Sequence, residues 1–569
     1  MRDAPNLNLA WTMLAAEECF RLGVRHAVIS PGSRSAPLAV AFARHGGIAV
    51  HVAHDERGGA FLALGIAKSS GEPAVLVTTS GTAVANALPA VVEARMTRTP
   101  LLLFTGDRPP ELRDCGANQS IPQASLLAGA ARWTVDLPCP TIDAPAEFVL
   151  STVDEAYARA TGRAGSQAGA VHLNWQFREP LAPDPAPWDI AWLWSIARWT
   201  ADRARAPWRE TPAVLPAEAR IETGVVVAGR AEPDAEASLA GWKGTLLADI
   251  GSGLAGKGTA GADLVLRAAM DGGGDAALRE ALAVERVVVV GDAPVSKRMN
   301  AWLAAQSCPT TVFGAGDPRN DPAHRASGAY AGPVRLVAGR GLRAHAGWSR
   351  ALTVATRAAS RALAAERALA EPTAIATATE ACAAHRAGTI FHGSSMPVRD
   401  ADFLAIHAPK GWATGANRGA SGIDGLVATA AGHAHASGAP VVAFLGDVSA
   451  LHDLASLALA ARVATPLVLV VLNNDGGGIF RYLGIAKYDD VFERLFTTPH
   501  GHAIAPVAKA LGLASETPKT RAALAKAMAK ALARGGATVI EVACAREESE
   551  ASRARVAKAA VDALRREFR

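Results

Sequence analysis

Several scarcities in this chain narrow its function before any motif is read. Its six cysteines, Cys19, Cys115, Cys139, Cys308, Cys382 and Cys544, are scattered and form no CxxC pair. That argues against a disulfide framework and a structural zinc site, and it fits a reducing cytosol. No Lys/Arg block is present, and the charge balance is 58 − 53 = +5 over 569 residues. So mild an excess gives no nucleic-acid arm, and it points to local pockets for anionic ligands. The longest uncharged stretches, Ala74–Val92 and Gly425–Gly446, are interrupted by Gly, Pro, Thr, Ser, Asn or His. They read as strand–loop–helix units, not bilayer spans. Asp3, Glu17 and Glu18 around a short apolar stretch do not make a signal peptide. A soluble cytoplasmic protein is expected, without a membrane span or a nucleic-acid partner. There is no GxSxG elbow, no HExxH and no short tandem repeat.

What is present is a globular composition, half apolar and one-fifth charged. The length gives a prior of about three or four domains. Short Val/Leu/Ile runs alternate with helix-like stretches. They include His26–Ser30, Ala74–Thr78, Pro100–Thr105, Gly224–Ala228, Val287–Val290, Val441–Leu445 and Pro466–Leu472. Runs apolar on both faces mark strands buried in parallel sheets under helices, and the alternation predicts an α/β, doubly wound fold. Pro180–Asp189 holds four prolines in ten residues and reads as an extended linker. Ala351–Ala370 reads as a connecting helix that ends before Pro372. Domains are therefore expected at 1–185, 200–350 and 372–548, with a charged C-terminal helix at 549–569 that shows no chemistry. The first and third blocks are candidates for similar sheets whose sequences have diverged.

The chemistry concentrates at strand ends. Gly446-Asp447-Val448-Ser449 follows the strand Val441–Leu445, and Pro466–Leu472 runs into Asn473-Asn474-Asp475-Gly476-Gly477-Gly478. A carboxylate, an amide and glycine backbone at two strand ends suit magnesium and a diphosphate. In an open α/β sheet, ligands lie beyond the carboxyl ends of the strands. Either half alone reads equally as a turn with a helix cap. Their pairing at this spacing resembles the magnesium and diphosphate signature of thiamine-diphosphate enzymes. In that superfamily the other essential element is a glutamate on a different domain, and His54-Asp55-Glu56-Arg57-Gly58 offers Glu56 after the strand Ile48–Ala53.

The surroundings of Glu56 narrow the resemblance. SPGSRS (Ser30–Ser35), HDERG (His54–Gly58), TSGTA (Thr79–Ala83), DRPPEL (Asp107–Leu112) and DCGANQ (Asp114–Gln119) occur in this order. Asn417–Gly425 (NRGASGIDG) and NNDGGGIF follow in the third block. Together they resemble the 2-succinyl-5-enolpyruvyl-6-hydroxy-3-cyclohexene-1-carboxylate (SEPHCHC) synthase family of menaquinone biosynthesis, over all three domains. Val448 departs from the wider superfamily, where many members have a third glycine (GDG). The resemblance implies a transferase that decarboxylates 2-oxoglutarate on thiamine diphosphate and adds the succinyl unit to isochorismate in a 1,4 sense. Glu56 would be the catalytic residue, bonded to the pyrimidine N1′, with burial raising its pKa. Ser80, Gly446, Asp447, Ser449, Ile423, Asn474, Gly476 and Ile479 would hold the cofactor, Ile423 as its apolar prop. Asp447, Asn474 and the Gly476 carbonyl would bind magnesium, with manganese as the alternative ion. Ser33, Arg34, Arg108, Asn118, Gln119, Lys297 and Arg298 would take isochorismate. Ser395, Arg399 and Arg418 would receive the succinyl end, with Phe480 and Leu483 also at the substrate. Bidentate arginines suit such dicarboxylates. The family pattern further implies a homodimer with shared sites, assembled into a tetramer.

Other readings remain open. Another thiamine enzyme, an acetohydroxyacid synthase or 2-oxoacid decarboxylase, is the nearest. A dinucleotide-dependent oxidoreductase would use Gly251–Gly256, which matches GxGxxG after the strand Leu246–Ile250. Gly258 stands where a P-loop needs a hydroxyl, so a plain glycine-rich loop without a cofactor is expected. His433, His435 and His452 are expected in packing or at a helix surface, not on a metal. A catalytically dead scaffold is disfavoured by the intact Glu56, Asp447 and Asn474 set.

Overall fold

A computed structural model describes the chain except residues 1–2, 164, 166, 213–216, 231–237, 240–241, 257, 315–320, 323, 332–333 and 341. Three parallel sheets organise it. The first contains β1 (His26–Ile29), β2 (Ala49–Val52), β3 (Ala74–Thr78), β4 (Leu101–Asp107), β5 (Trp133–Leu137) and β6 (Ala170–Gln176), in the order β2-β1-β3-β4-β6-β5. A separate parallel pair joins β7 (Ala217–Ile221) to β13 (Val334–Ala338). The second sheet contains β8 (Val225–Ala228), β9 (Thr245–Ala248), β10 (Val287–Val290), β11 (Thr310–Gly314) and β12 (Gly328–Ala331), in the order β12-β11-β10-β8-β9. The third contains β14 (Gly388–His392), β15 (Trp412–Gly415), β16 (Val441–Gly446), β17 (Leu467–Asn473), β18 (Ala514–Glu516) and β19 (Ala537–Ala543), in the order β15-β14-β16-β17-β19-β18.

The first and third sheets thus share one strand order although their sequences differ. In each, the second strand lies to one side of the first and the third to the other. That reversal makes a switch point where a crevice opens beyond the strand ends. In the first sheet it lies between β1 and β3, and in the third between β14 and β16. β3 and β4 are buried at every position, as are β14 and the first five residues of β16. This full burial explains why the apolar runs were legible as strands.

The chain divides into two compact units. One comprises residues 1–214, 417–438 and 453–463, and the other comprises 215–416, 439–452 and 464–569. In the first unit, the core under the first sheet extends through Trp192, Leu193, Ile196 and Trp199. The proline-rich segment after β6 is stitched down by Asn6, which donates to the Ala182 and Asp184 carbonyls, and by Asn8, which donates to Arg178 and Pro180. In the second unit, one apolar core runs from the second sheet through the helix Ala346–Ala365 to the third sheet. That helix is shifted from the expected 351–370. His345 caps it by accepting from the Trp348 amide at 3.3 Å. Pro372 lies in the first turn of the next helix, Glu371–Cys382, where its missing N–H costs nothing.

In the first unit the helix Glu56–Ser70 crosses the helix Leu426–Ser437 with glycines at the contact. A Cβ on Gly65 would stand 2.1 Å from the Thr429 carbonyl oxygen, and one on Gly432 would stand 2.2 Å from that of Leu62. Replacing Gly65 by Ala is expected to lower stability by about 1–3 kcal/mol through overpacking, despite the better helix propensity of Ala. Gly129, with nothing within 4 Å of its Cβ position, is the control and should change little. Urea unfolding of the two variants checks this.

Candidate active site

In the second unit, Asp447 opens the helix Asp447–His452 directly after β16. Its carboxylate is 2% exposed. It accepts from the Val448 amide at 2.7 Å, the Gly476 amide at 2.8 Å and His500 Nε2 at 3.2 Å. Burial nevertheless pushes its pKa up, so the local bonds do not fully answer its charge. Asn474 follows β17, the neighbouring strand. Its amide nitrogen donates to Glu371, while its Oδ1 is buried with no hydrogen-bond partner. The Asn474 carbonyl accepts from Arg546 Nε at 2.6 Å. The glycines after it lie against the 496–498 turn. At Gly476 (φ +132°) a Cβ would meet the Thr497 carbonyl oxygen at 2.0 Å, so only glycine fits. Phe480 packs edge-on against Phe496 at 5.6 Å, and Ile479 lies beside it while Leu483 is exposed.

The residues fit a hard divalent cation. Asp447 and the orphaned Asn474 Oδ1 are hard oxygen donors. The Gly476 carbonyl accepts from the Gly478 amide at 3.0 Å and keeps a second lone pair. No group of three His, Cys, Asp or Glu suited to a metal occurs among the described residues. A metal there would need ligands from a bound molecule, as magnesium commonly has.

Ser395, at φ +75°, stands past β14 on the other side of the switch point, where it caps the helix Met396–Phe403. Arg399 on that helix donates to the Ser395 carbonyl at 2.6 Å. Lys297 and Arg298 open the helix Lys297–Ala304 beyond β10 in the second sheet. Lys297 is exposed. Arg298 instead pairs with Asp271 at 2.8 Å and Asp263 at 3.2 Å, so its charge is already answered locally.

The glycine loop after β9 holds its own backbone. Asp249 accepts from the Gly251 amide at 2.7 Å, and Thr259 Oγ1 accepts from Gly256 at 2.9 Å. The strand it follows is at the sheet edge, not at the switch point. Amides spent this way cannot cradle a pyrophosphate. Lys257 in that loop lies outside the described residues.

In the first unit, Glu56 is the first residue of its helix, which Asp55 caps by accepting from the Arg57 amide. Glu56 is half-buried within the single chain. At the switch point, the loop after β1 packs against the end of β4 and the start of the loop after β3. A Cβ on Gly106 would meet the Arg34 carbonyl oxygen at 2.5 Å, and one on Gly32 would meet Thr79 Cβ at 2.3 Å. Arg108 is 8% exposed and donates to Ser80 Oγ. Gln119 Nε2 donates to the Ser80 carbonyl at 2.8 Å. Burial, then the like charge of Arg34, push the Arg108 pKa down. Arg34 donates to the Phe177 carbonyl at 2.9 Å, yet its Nε is buried without a partner. Arg34 also lies 3.7 Å from the exposed Glu179, and the like charges of Arg34 and Arg108 form a site that favours an anion. Ser33 and Asn118 lie exposed on the adjoining loops.

Ile423 sits half-buried in the loop before the helix Leu426–Ser437, and Arg418 lies on the same loop. Lys68 donates to Asn417 Oδ1 at 2.7 Å and to Glu93 at 3.2 Å, and Glu93 accepts from the Gly419 and Ala420 amides. The His435 ring lies tilted at 53° against His51, with centroids 4.5 Å apart, and His51 bonds His26, so these histidines serve packing.

Comparison with known proteins decides the family. The N-terminal thiamine pyrophosphate (TPP)-binding domain of thiamine pyrophosphate enzymes matches residues 12–126, their middle domain 190–388, and their C-terminal TPP-binding domain 395–542. SEPHCHC synthase of Rubrobacter xylanophilus is 42% identical, covering 96% of this chain and 98% of its own. The synthase of Salinibacter ruber is 39% identical over 95% and 94% of the two chains. That of Cronobacter sakazakii is 37% identical over 94% and 95%. The chain belongs to the SEPHCHC synthase family. A solved structure of benzoylformate decarboxylase from Polynucleobacter necessarius superposes with a TM-score of 0.62 at 14% identity, over 94% of this chain and 98% of that one. That likeness shows the shared fold.

Sequence reasoning missed the polar residues that brace these loops. Gln123 is buried, accepts from the Gly81 amide at 3.0 Å and donates to the Gly106 carbonyl and Asn174. Asp107 accepts from Arg113 at 2.6 Å and Asn174 at 2.9 Å. The C-terminal helix Arg546–Glu567, read as chemically silent, supplies Arg546 and Arg553. Arg553 pairs with Asp400 at 2.6 and 2.7 Å and also with Glu371. Burial alone would loosen its proton, but these carboxylates hold its pKa well above the ordinary value.

Burial alone would raise the pKa of Glu93, but Lys68 and the two loop amides hold it below the usual carboxylate range. A depressed folded pKa gives stability that is present above the unfolded pKa and lost as pH falls through the folded value. Glu93→Gln is therefore expected to cost about 1–3 kcal/mol at pH 7 by leaving buried donors poorly paired. The deficit should shrink toward pH 3, as read by urea unfolding across pH.

Proposed function

We propose that this chain is a thiamine-diphosphate-dependent transferase that decarboxylates 2-oxoglutarate and adds the succinyl unit to isochorismate, giving SEPHCHC and carbon dioxide in menaquinone biosynthesis. The observation that carries this reading is the near-full-length match to SEPHCHC synthases; the strand-end clusters around Asp447 in one unit and Arg108 in the other support it. When bound, thiamine diphosphate would supply a nucleophilic carbon and an electron sink for loss of the 2-oxoacid carboxylate as carbon dioxide.

The chain's own residues hold, orient and shield. Asp447, Asn474 and the Gly476 carbonyl would hold magnesium, or manganese in its place. Gly446 and Ser449 would meet the diphosphate at the strand end, and Ile423 and Ile479 would give apolar support. Ser80 would adjoin the cofactor. Glu56 would offer its carboxyl group to the pyrimidine N1′ in a hydrogen bond. Arg34 and Arg108, with Ser33, Asn118 and Gln119, bind the carboxylates of isochorismate. Lys297 adds a cation to them, and Arg298 joins if it exchanges Asp271 for substrate. Ser395, Arg399 and Arg418 take the succinyl carboxylate, and Phe480 and Leu483 cover the reacting region.

Glu56 and Asp447 fall in separate compact units. Glu56 is also half-exposed in the single chain. Both facts support a homodimer whose partner covers each glutamate, with a tetramer as the larger assembly. No described helix is long and apolar enough to cross a membrane, in keeping with the proposed cytoplasmic location.

Carbon dioxide release from 2-oxoglutarate, with each of thiamine diphosphate, magnesium and isochorismate omitted in turn, tests the function. Release that needs both cofactors, with a succinyl adduct of isochorismate by mass, is expected. Release from pyruvate alone would keep the cofactor and overturn the substrates. Glu56→Gln should abolish turnover while cofactor binding largely survives, and unchanged turnover would remove its assigned role.

A further inference from the structure

Asn474 can present either end of its amide to a cation, and only the oxygen binds one. Its Nδ2 donates to Glu371 Oε1 and its Oδ1 is left buried and unpartnered. Rotating the amide by half a turn would set the oxygen against the Glu371 carboxylate, which repels it. The neighbour therefore fixes which atom faces the crevice.

Glu371 is itself fixed. It is 3% exposed and is the first residue of the helix Glu371–Cys382, where the helix N-terminus favours negative charge. Its amide donates to Ser549 Oγ at 3.2 Å on the C-terminal helix. Its second carboxylate oxygen pairs with Arg553, whose guanidinium also takes both oxygens of the buried Asp400. Asp400 lies on the helix that Ser395 caps. Asn474, Glu371, Arg553 and Asp400 thus form one buried chain of charge-assisted bonds from the strand-end amide to the neighbouring helix.

We propose that Glu371 is a positioning residue for the metal: held by Arg553 and Asp400, it locks the Asn474 amide with its oxygen toward the cation. This rests on the magnesium and thiamine-diphosphate reading above. Glu371 touches neither cofactor nor substrate in this role. It acts through Asn474, as partners of metal ligands commonly do.

The consequence is a swap of donor and acceptor. In E371Q the amide–amide pair has two orientations, so the cation meets the amide nitrogen part of the time. In N474D two carboxylates face each other. In the double variant E371Q/N474D, the glutamine N–H donates to one aspartate oxygen and the other faces the cation. The full-length protein, incubated with thiamine diphosphate, would be titrated with manganese, and free ion would be counted by electron paramagnetic resonance. E371Q and N474D are each expected to bind manganese about tenfold to a hundredfold more weakly than the unaltered chain. The double variant should recover most of that loss. A role confined to packing would give no such recovery, and thermal unfolding of each variant separates lost folding from lost orientation. Equal manganese affinity in E371Q and the unaltered chain, or a folded double variant no better than the singles, would overturn the inference alone. No uptake by the unaltered chain would overturn the metal reading with it.

Discussion

The crossing of the Glu56–Ser70 and Leu426–Ser437 helices is the constraint on which the first unit depends. Backbones approach there because Gly65 and Gly432 carry no Cβ to hold them apart. The close approach brings the Phe61 ring onto Gly425, whose φ of +62° ends the 417–425 loop and starts the second helix. Farther along, Lys68 reaches Asn417, and Glu93 takes the amides of Gly419 and Ala420. Asp453 adds an anchor by accepting from the Val427 and Ala428 amides. Glu56 and Ile423, far apart in sequence, therefore ride on elements locked to one another. A unit built on close packing loses much when one methyl group is added, which gives such glycines their weight.

The second unit solves a different problem, that of keeping charge at a buried strand end. Asp447 pays a desolvation cost and receives two amides and His500 in part return. Asn474 keeps an unanswered oxygen. On the first sheet, Arg108 shows the opposite sign of the same tension, since burial and then the like charge of Arg34 push its pKa down. Sites of this kind are destabilising until a ligand of matching charge enters, and such local conflict is where function concentrates. The anionic centre of one unit and the cationic centre of the other correspond to the two things the proposed reaction must hold, a metal-bound diphosphate and dicarboxylate substrates.

Much of this was legible in the sequence because the chemistry is local. Strands such as Val75–Val77 and Val441–Leu445 are buried on both faces, so their apolar runs declare them. The GD and NN segments combine residue types that a cation and a diphosphate require at strand ends. What escaped was pairing over long separations. Arg553 meets Glu371 across 182 positions, and a charged helix looks like a solvated surface until its partner is known. Gln123 and Asn174 likewise read as ordinary polar residues, though their buried bonds hold the β3 and β4 loops. The helix before Glu371 was misplaced because His345 is an unusual cap and Pro372 lies in the first turn of a helix instead of ending one. The Gly251 loop shows the reverse case, since its fingerprint matches but its edge strand and self-bonded amides do not.

The central proposal is that Glu56 and Asp447 serve one cofactor site completed by a second copy of the chain. Complementation measures this directly. E56Q and D447N, each inactive alone, would be unfolded together, refolded as a mixture and assayed for the succinyl adduct of isochorismate. The account predicts that the mixture regains activity, because mixed dimers contain one site with both residues intact. A mixture as inactive as its parents, with mixed dimers demonstrated by mass, would contradict it.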